Sequence, residues 1–142
     1  MTAKEYLMQI RKLNTIISNI DDEIQQLRAE TASIRSAWPD GQPHGHGTTD
    51  PVGAQAAKLA DDLSNAEYRH LQFRRELWRK RMEIIEAIGK VEHADCNRLL
   101  YLRYVQCERW EQIAVEMDFS YQWVAGGLHS IALKEFEKVL SS

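Results

Sequence analysis

Tyr121, Gln122, Ala125 and Ser130 are the side chains whose types and placement suit contact with the edges of base pairs. A glutamine amide offers a donor and an acceptor side by side and can bond adenine. A tyrosine can meet a phosphate or a thymine methyl, and small side chains let the backbone come close. These residues sit in a stretch, Leu99 to Leu133, with a particular spacing. Ala114 is small, Asp118 follows four residues later at a turn, and Val124 is apolar six residues beyond. Two helices that cross steeply over a short turn need that spacing, so the stretch reads as a helix-turn-helix. For Trp123, packing of the last helix against the segment LLYLRY is the preferred reading; Tyr121 has the same alternative.

A second group supplies positive charge. Arg69, Arg74, Arg75, Arg79, Lys80 and Arg81 fall close together, with only Glu67 and Glu76 nearby. They form either a phosphate-contacting stripe or a solvated helix face with local ion pairs. In the head, Arg109 and Lys134 are the further candidates for phosphate. Charge elsewhere is unfavourable. Net charge is −3 and the pI about 6.0, which excludes a generic polyanion binder. Residues 92–142 carry Arg98, Arg103, Arg109, Lys134 and Lys138 against Glu92, Asp95, Glu108, Glu111, Glu116, Asp118, Glu135 and Glu137. Phosphate contacts normally supply much of DNA affinity, so such a head needs positive charge from elsewhere in the chain.

Catalysis finds no support. No nucleophile has a nearby base, no Gly-rich loop follows a strand, and no HExxH is present. The pairs Asp21-Asp22 and Asp61-Asp62 fall on solvated helix faces. Cys96 and Cys107 form no CxxC pair, and His44 and His46 lack a third ligand in sequence, so no metal and no cofactor are expected. The opening MTAKEYLMQI has no signal-peptide core and no apolar run approaches a membrane span. A cytoplasmic protein with two free thiols is expected.

The elements that must position these residues are helical throughout. Thr2 with Glu5 makes a capping box. Apolar or neutral residues then recur at Tyr6, Ile10, Leu13, Ile17, Ile20, Ile24, Leu27, Thr31 and Ile34, in alternating steps of four and three. That is a heptad seam. Trp38 before Pro39 ends the helix near Ala37. Residues 38–50, WPDGQPHGHGTTD, read as a flexible loop. Asp50-Pro51 restarts helix, and a second seam runs through Ala56, Leu59, Leu63, Ala66, His70, Phe73, Leu77, Lys80 or Arg81, Ile84, Ala87 or Ile88, and Val91. The expected fold is therefore all-α. Residues 1–91 form a long antiparallel coiled-coil hairpin, and residues 92–142 form the helix-turn-helix head. The hairpin is the expected means of homo-oligomerisation, and His70 on its seam reads as a partly exposed core histidine.

One irregularity stands in the head. After Val124 the next core residue should come three positions on, but that residue is Gly127, and Leu128 arrives one residue late. Gly126 and Gly127 together cost about 2 kcal/mol relative to alanine inside a helix. A bulge, a kink or an interruption is expected there.

LLYLRYVQCERWEQIAVEMDFSYQWV resembles region 4 of the sigma-70 factors and their phage-encoded relatives. There an LRY helix precedes a W-x-x-I-A helix and an S-Y-x-x-V start. MTAKEYLMQIRKL, the loop ending TTDPVG and the second long helix are similar to small phage and prophage proteins of Gram-positive bacteria, related in layout to the ArpU- and RinA-type regulators of late genes. The resemblance covers nearly the whole chain. It implies control of late-operon transcription in the host bacterial cytoplasm, with double-stranded DNA as the partner and host RNA polymerase as a second candidate partner. Ala125, Gly126 and Gly127 depart from the basic or polar residues usual after the valine. A head that has lost DNA affinity and grips polymerase or another protein is the alternative, and a DNA-recognition component of phage packaging is a third.

Overall fold

A computed structural model describes residues 1–36 and 51–142. Every element among them is helical: α1 (Ala3–Leu7), α2 (Gln9–Ser36), α3 (Pro51–Gly89), α4 (Ala94–Leu100), α5 (Trp110–Met117) and α6 (His129–Ser141). Two π-helical segments interrupt the α series, π1 (Tyr101–Val105) and π2 (Trp123–Leu128). The expected loop at 38–50, with His44, His46 and the Asp50 cap, lies outside the described residues.

The described chain divides into two compact units. One joins Met1–Thr15 to Arg75–Ser142, and the other is Ile16–Arg74. The boundary expected between residues 91 and 92 is not where these units part. The reason lies in the core of the first unit. Leu99, Leu100, Leu102, Ile113, Val124, Leu128, Ala132 and Phe136 of the C-terminal part are buried together with Ala3, Leu7 and Ile10 and with Ile84, Ile88 and Val91. The two N-terminal elements and the end of α3 thus supply part of the apolar volume that α4 to α6 enclose.

The start of the chain follows local rules. Thr2 Oγ1 accepts the Glu5 N–H at 3.1 Å, and the Glu5 carboxylate accepts the Thr2 N–H at 3.0 Å, the reciprocal pairing of a capping box. Met8 separates α1 from α2, but its N–H bonds to the Lys4 carbonyl and its own carbonyl takes the Lys12 N–H. Helical hydrogen bonding is therefore unbroken there. The Tyr6 hydroxyl donates to Glu83 Oε1 at 2.7 Å, fixing this first segment against α3. Burial and the Glu83 carboxylate push the Tyr6 phenol up to about 12, so it stays a donor.

α3 stops at Gly89, and its end is closed from a distance in sequence. Asn97 Nδ2 donates to the carbonyls of Ile88 and Val91 at 2.9 and 3.1 Å. The Ile88 carbonyl, in the last turn of α3, also accepts the Val91 N–H at 2.9 Å, and the Val91 carbonyl lies just beyond the helix end. His93 opens α4 as its N-cap, with Nδ1 accepting the Cys96 N–H. One short joint thus ends one helix and begins the next through two side chains.

In the second unit, Ile20, Ile24 and Ala66 are buried, with Ile16, Leu27, Leu63 and Phe73 packed beside them. All three buried residues occupy the heptad seams. Cross-helix partners step in opposite directions along α2 and α3: Asp21 with His70 at 2.6 Å, Glu23 with Arg69 at 2.8 Å and Arg28 with Glu67 at 3.3 Å. The arginine pairs are exposed, so each contributes at most about 1 kcal/mol, less at high salt. No helix among the described residues is long and apolar enough to cross a membrane.

Candidate nucleic-acid interface

α5 carries its apolar side, Ile113 and Ala114, into the core. It ends at Asp118, whose backbone is left-handed at φ 57 and ψ 45. The Phe119 N–H bonds to the Ala114 carbonyl and the Asp118 N–H to that of Val115. This is the Schellman closure of a helix, usually made with glycine; aspartate is among the few other residues that accept it. Ser120 follows, and its Oγ accepts the Trp123 N–H at 3.2 Å. The turn from α5 into the next helical segment is thus closed by Asp118 on one side and by Ser120 on the other.

The π winding of Trp123–Leu128 resolves the late arrival of Leu128. A π turn takes in one more residue than an α turn. Val124 and Leu128 therefore both reach the core, followed by Ala132 and Phe136 in α6, all buried. The extra residue is absorbed by widening the helix rather than by breaking it. Gly127 has a specific part in this. A Cβ built on it would lie 2.4 Å from the Trp123 ring, whereas nothing lies within 4 Å of a Cβ on Gly126. The indole lies across the bare backbone of Gly127. Trp123 nevertheless remains 41% exposed, so it is less a packing residue than its sequence position indicated.

π1 has the same character: the Gln106 N–H reaches back five residues to the Tyr101 carbonyl at 3.1 Å. It buries Leu102, Tyr104 and Val105 and leaves Arg103 half-buried. The Arg103 guanidinium stacks over the Trp110 ring at 4.4 Å, and its Nη1 donates to the Glu108 carbonyl at 2.9 Å. Trp110 meets His129 edge-on at 4.7 Å, and the Tyr104 hydroxyl lies 2.5 Å from His129 Nε2. Burial, then the charges of Lys4 and Arg103, hold the His129 imidazole down at about 4. Burial raises the Tyr104 phenol. A neutral Nε2 facing a protonated hydroxyl is the acceptor of that bond. The row Arg103–Trp110–His129–Tyr104 therefore ties π1, α5 and α6 into one face.

This depressed value fixes a pH dependence. The unfolded imidazole takes its proton near its ordinary 6.5 and the folded one only near 4, so protons favour the unfolded chain between these values. His129 leaves stability untouched above about pH 6.5. As pH falls from there to about 4 it should remove of order 2 kcal/mol. Urea melts at pH 7, 5.5 and 4.5 should show a steeper loss for the natural chain than for His129→Gln. Parallel losses would exclude His129 as the titrating group.

The base-facing candidates lie in three successive segments. Tyr121 and Gln122 are exposed in the segment after Ser120, Ala125 is half-buried inside π2, and Ser130 is exposed in α6. Of the phosphate candidates, Arg69 is engaged with Glu23, and Arg79 is held by both oxygens of Glu76 at 2.8 Å. Arg74 and Arg75 are exposed, with no carboxylate partner within salt-bridge distance among the described residues. Arg69 and Arg74 belong to the second unit, Arg75 and Arg79 to the first. Arg109 is exposed at the N-cap of α5, one residue before its first turn, and Lys134 is exposed on α6. The sequence names neither the exposed Trp123 ring, read there as a packing residue, nor the Arg103 guanidinium as a candidate contact. The signal for the first was Gly127, placed four residues beyond the tryptophan.

Among the described residues no cluster of three or more His, Cys, Asp or Glu side chains is placed to hold a metal ion. Cys96 is buried, which raises its thiol pKa, and Cys107 is half-buried; both are free. Comparison with protein-family models, with curated proteins and with solved structures returns no match.

Proposed function

We propose that this chain is a double-stranded DNA-binding transcriptional regulator of phage or prophage late genes, working in the host bacterial cytoplasm. In this reading α5, the turn at Asp118 and the segment from Ser120 into α6 act as a helix-turn-helix. The observation that carries it is the placement of Tyr121 and Gln122. They stand exposed at the start of the second helical segment, where recognition helices contact base edges, while Val124 and Leu128 anchor that segment from below. Arg74 and Arg75 supply free positive charge, and Arg109 and Lys134 supply it within the head. The paired helices α2 and α3 serve as the oligomerising element that sets the spacing of two heads. Host RNA polymerase is a second partner in this reading. The late-gene context rests on the likeness of the LRY…W…IA and SYxxV residues to sigma region 4 and its phage relatives.

A second reading draws on a specific feature. Val115 is 82% exposed and Phe119 lies exposed near it, among Glu111, Glu116 and Asp118. An exposed apolar spot with acidic neighbours suits a protein partner better than DNA, and would make the head a protein-interaction module.

Separate substitutions divide the two readings. Tyr121→Ala with Gln122→Ala should remove about 1–3 kcal/mol of preference for the cognate duplex and leave random-sequence binding nearly unchanged. Arg74→Ala with Arg75→Ala should weaken all duplexes alike and reduce the salt dependence. Cognate preference unchanged by the first pair would remove Tyr121 and Gln122 as readers.

A further inference from the structure

Two arginines that are far apart in sequence lie in the first unit close enough for the charge of Arg11 to act on Arg103, and neither forms an ion pair among the described residues. Arg103 is fixed by the Trp110 ring on one side and by the Glu108 carbonyl on the other. Arg11 lies on α2 one turn before Asn14, whose side-chain amide reaches Cys107 Sγ at 3.8 Å. That contact seats this turn of α2 on the bend that follows π1. The Arg11 Nε is shut off from solvent and has no hydrogen-bond partner, and the residue as a whole is only partly exposed. Among the described residues neither guanidinium has a carboxylate within salt-bridge distance. The acid nearest Arg103 in sequence, Glu108, makes no ion pair with either arginine, and its buried Oε2 has no hydrogen-bond partner among the described residues. Burial and then the charge of Arg11 depress the Arg103 guanidinium, with Tyr104, Cys107 and last Tyr121 acting in the opposite sense.

Two partly buried like charges destabilise the fold unless something of opposite charge sits between them. Guanidinium forks match the oxygens of a phosphate in charge and in geometry. We propose that Arg11 and Arg103 form a phosphate-binding site where α2 meets the bend after π1, beside Tyr121. Resting on the DNA reading above, the site takes a phosphodiester of the duplex and supplies the acidic head with a contact that residues 92–142 alone do not hold. The N-terminal helix then belongs to the binding surface as well as to the core. Free phosphate offers the same chemistry and is the competing source.

Two measurements on Arg11→Gln, with Lys12→Gln as a neighbouring loss of one exposed charge, test this. The first is thermal melting in phosphate against chloride at matched ionic strength, without DNA. The natural chain and Lys12→Gln should gain more stability in phosphate than Arg11→Gln does. The second is the salt dependence of duplex binding, whose log–log slope should fall by about one for Arg11→Gln. A phosphate effect lost in Arg11→Gln with an unchanged slope keeps the site and assigns it to free phosphate. If the natural chain binds no duplex at all, the DNA reading falls and the melting measurement alone decides the site. Equal phosphate effects in all three proteins, with no change of slope, would overturn the proposal. Arg11→Gln should melt no lower than the natural chain in chloride, because it removes a like-charge contact.

Discussion

Phe136→Ala should destabilise the first unit by about 3–5 kcal/mol, the range for truncating a fully buried phenylalanine. Phe136 has no exposed surface and lies in the largest buried cluster. Its ring also packs on Tyr6 of α1, centroid to centroid at 5.8 Å. The cavity would therefore open between the first and last helices of the chain, and little could collapse into it, because Leu7, Ile10 and Ala132 are already sealed. A domain is commonly stable by only 5–15 kcal/mol, so this loss is a large share of the total. Urea denaturation followed by circular dichroism measures it. Hydrogen exchange should rise in Ala3–Leu7 as well as in α6. A loss below about 1 kcal/mol, or exchange that rises in α6 alone, would contradict the packing of α1 under α6.

The second large effect sets two adjacent glycines against each other. Gly126→Ala should stabilise by up to about 1 kcal/mol, since alanine is the better helix former and its methyl meets nothing. Gly127→Ala gains the same propensity, but its methyl would enter the Trp123 ring at 2.4 Å. The indole must swing away or the π turn must shift, and overpacking of this kind costs about 1–3 kcal/mol. One neighbour should thus stabilise and the other destabilise. Removing the ring should abolish the conflict, so Gly127→Ala should be tolerated in a Trp123→Ala background. The double-mutant cycle should give a coupling between about 0.5 and 3 kcal/mol. Two alanines with the same effect would mean that the indole does not lie across Gly127.

The parts of this fold that were readable from sequence are those decided by near neighbours. Thr2 and Glu5 announce their own reciprocal bonds. Ser120 occupies a cap position and caps. The three-and-four spacing of Ile10, Ile20, Ile24, Leu59, Ala66, Ile84 and Ile88 names residues that are buried, and the all-helical class follows from it. The late Leu128 was visible too, since a single extra residue between core positions shows in the spacing. Its solution was not, because a π turn is chosen by what it packs against. Val124 and Leu128 must both meet the core, and only the tertiary structure sets where that core is. The same holds for Ile10, whose seam spacing says that it is buried but not that it completes the core of α4 to α6, while Ala3 and Leu7 lie off the seam and are buried in that core as well.

The candidate interface divides in the same way. Tyr121 and Gln122 were recognisable from their distance to Asp118, a local relation. The stripe of arginines on α3 read from sequence either as a phosphate-contacting stripe or as a solvated face with local ion pairs, and Arg69 and Arg79 are held by Glu23 and Glu76. Glu76 is a neighbour on the same helix and could have been anticipated. Glu23 lies on another helix and could not. Arg11 and Arg103 are ninety-two positions apart, and no spacing rule brings them together. His129 gave no sign in sequence of its neutral state, which depends on Trp110, Tyr104, Arg103 and Lys4 arriving from three other elements.

Binding of duplex DNA by the intact chain, titrated at several salt concentrations, tests the central proposal most directly. Labelled duplexes covering the promoter-proximal DNA of the operon in which the chain is encoded, and shuffled duplexes of equal length, serve as probes in fluorescence anisotropy. Affinity should fall steeply as salt rises, with a slope reporting several neutralised phosphates. One duplex should be preferred over its shuffled counterpart by about 10³-fold or more. Absence of binding to every duplex at low salt, at concentrations where the chain self-associates, would contradict a DNA-binding role.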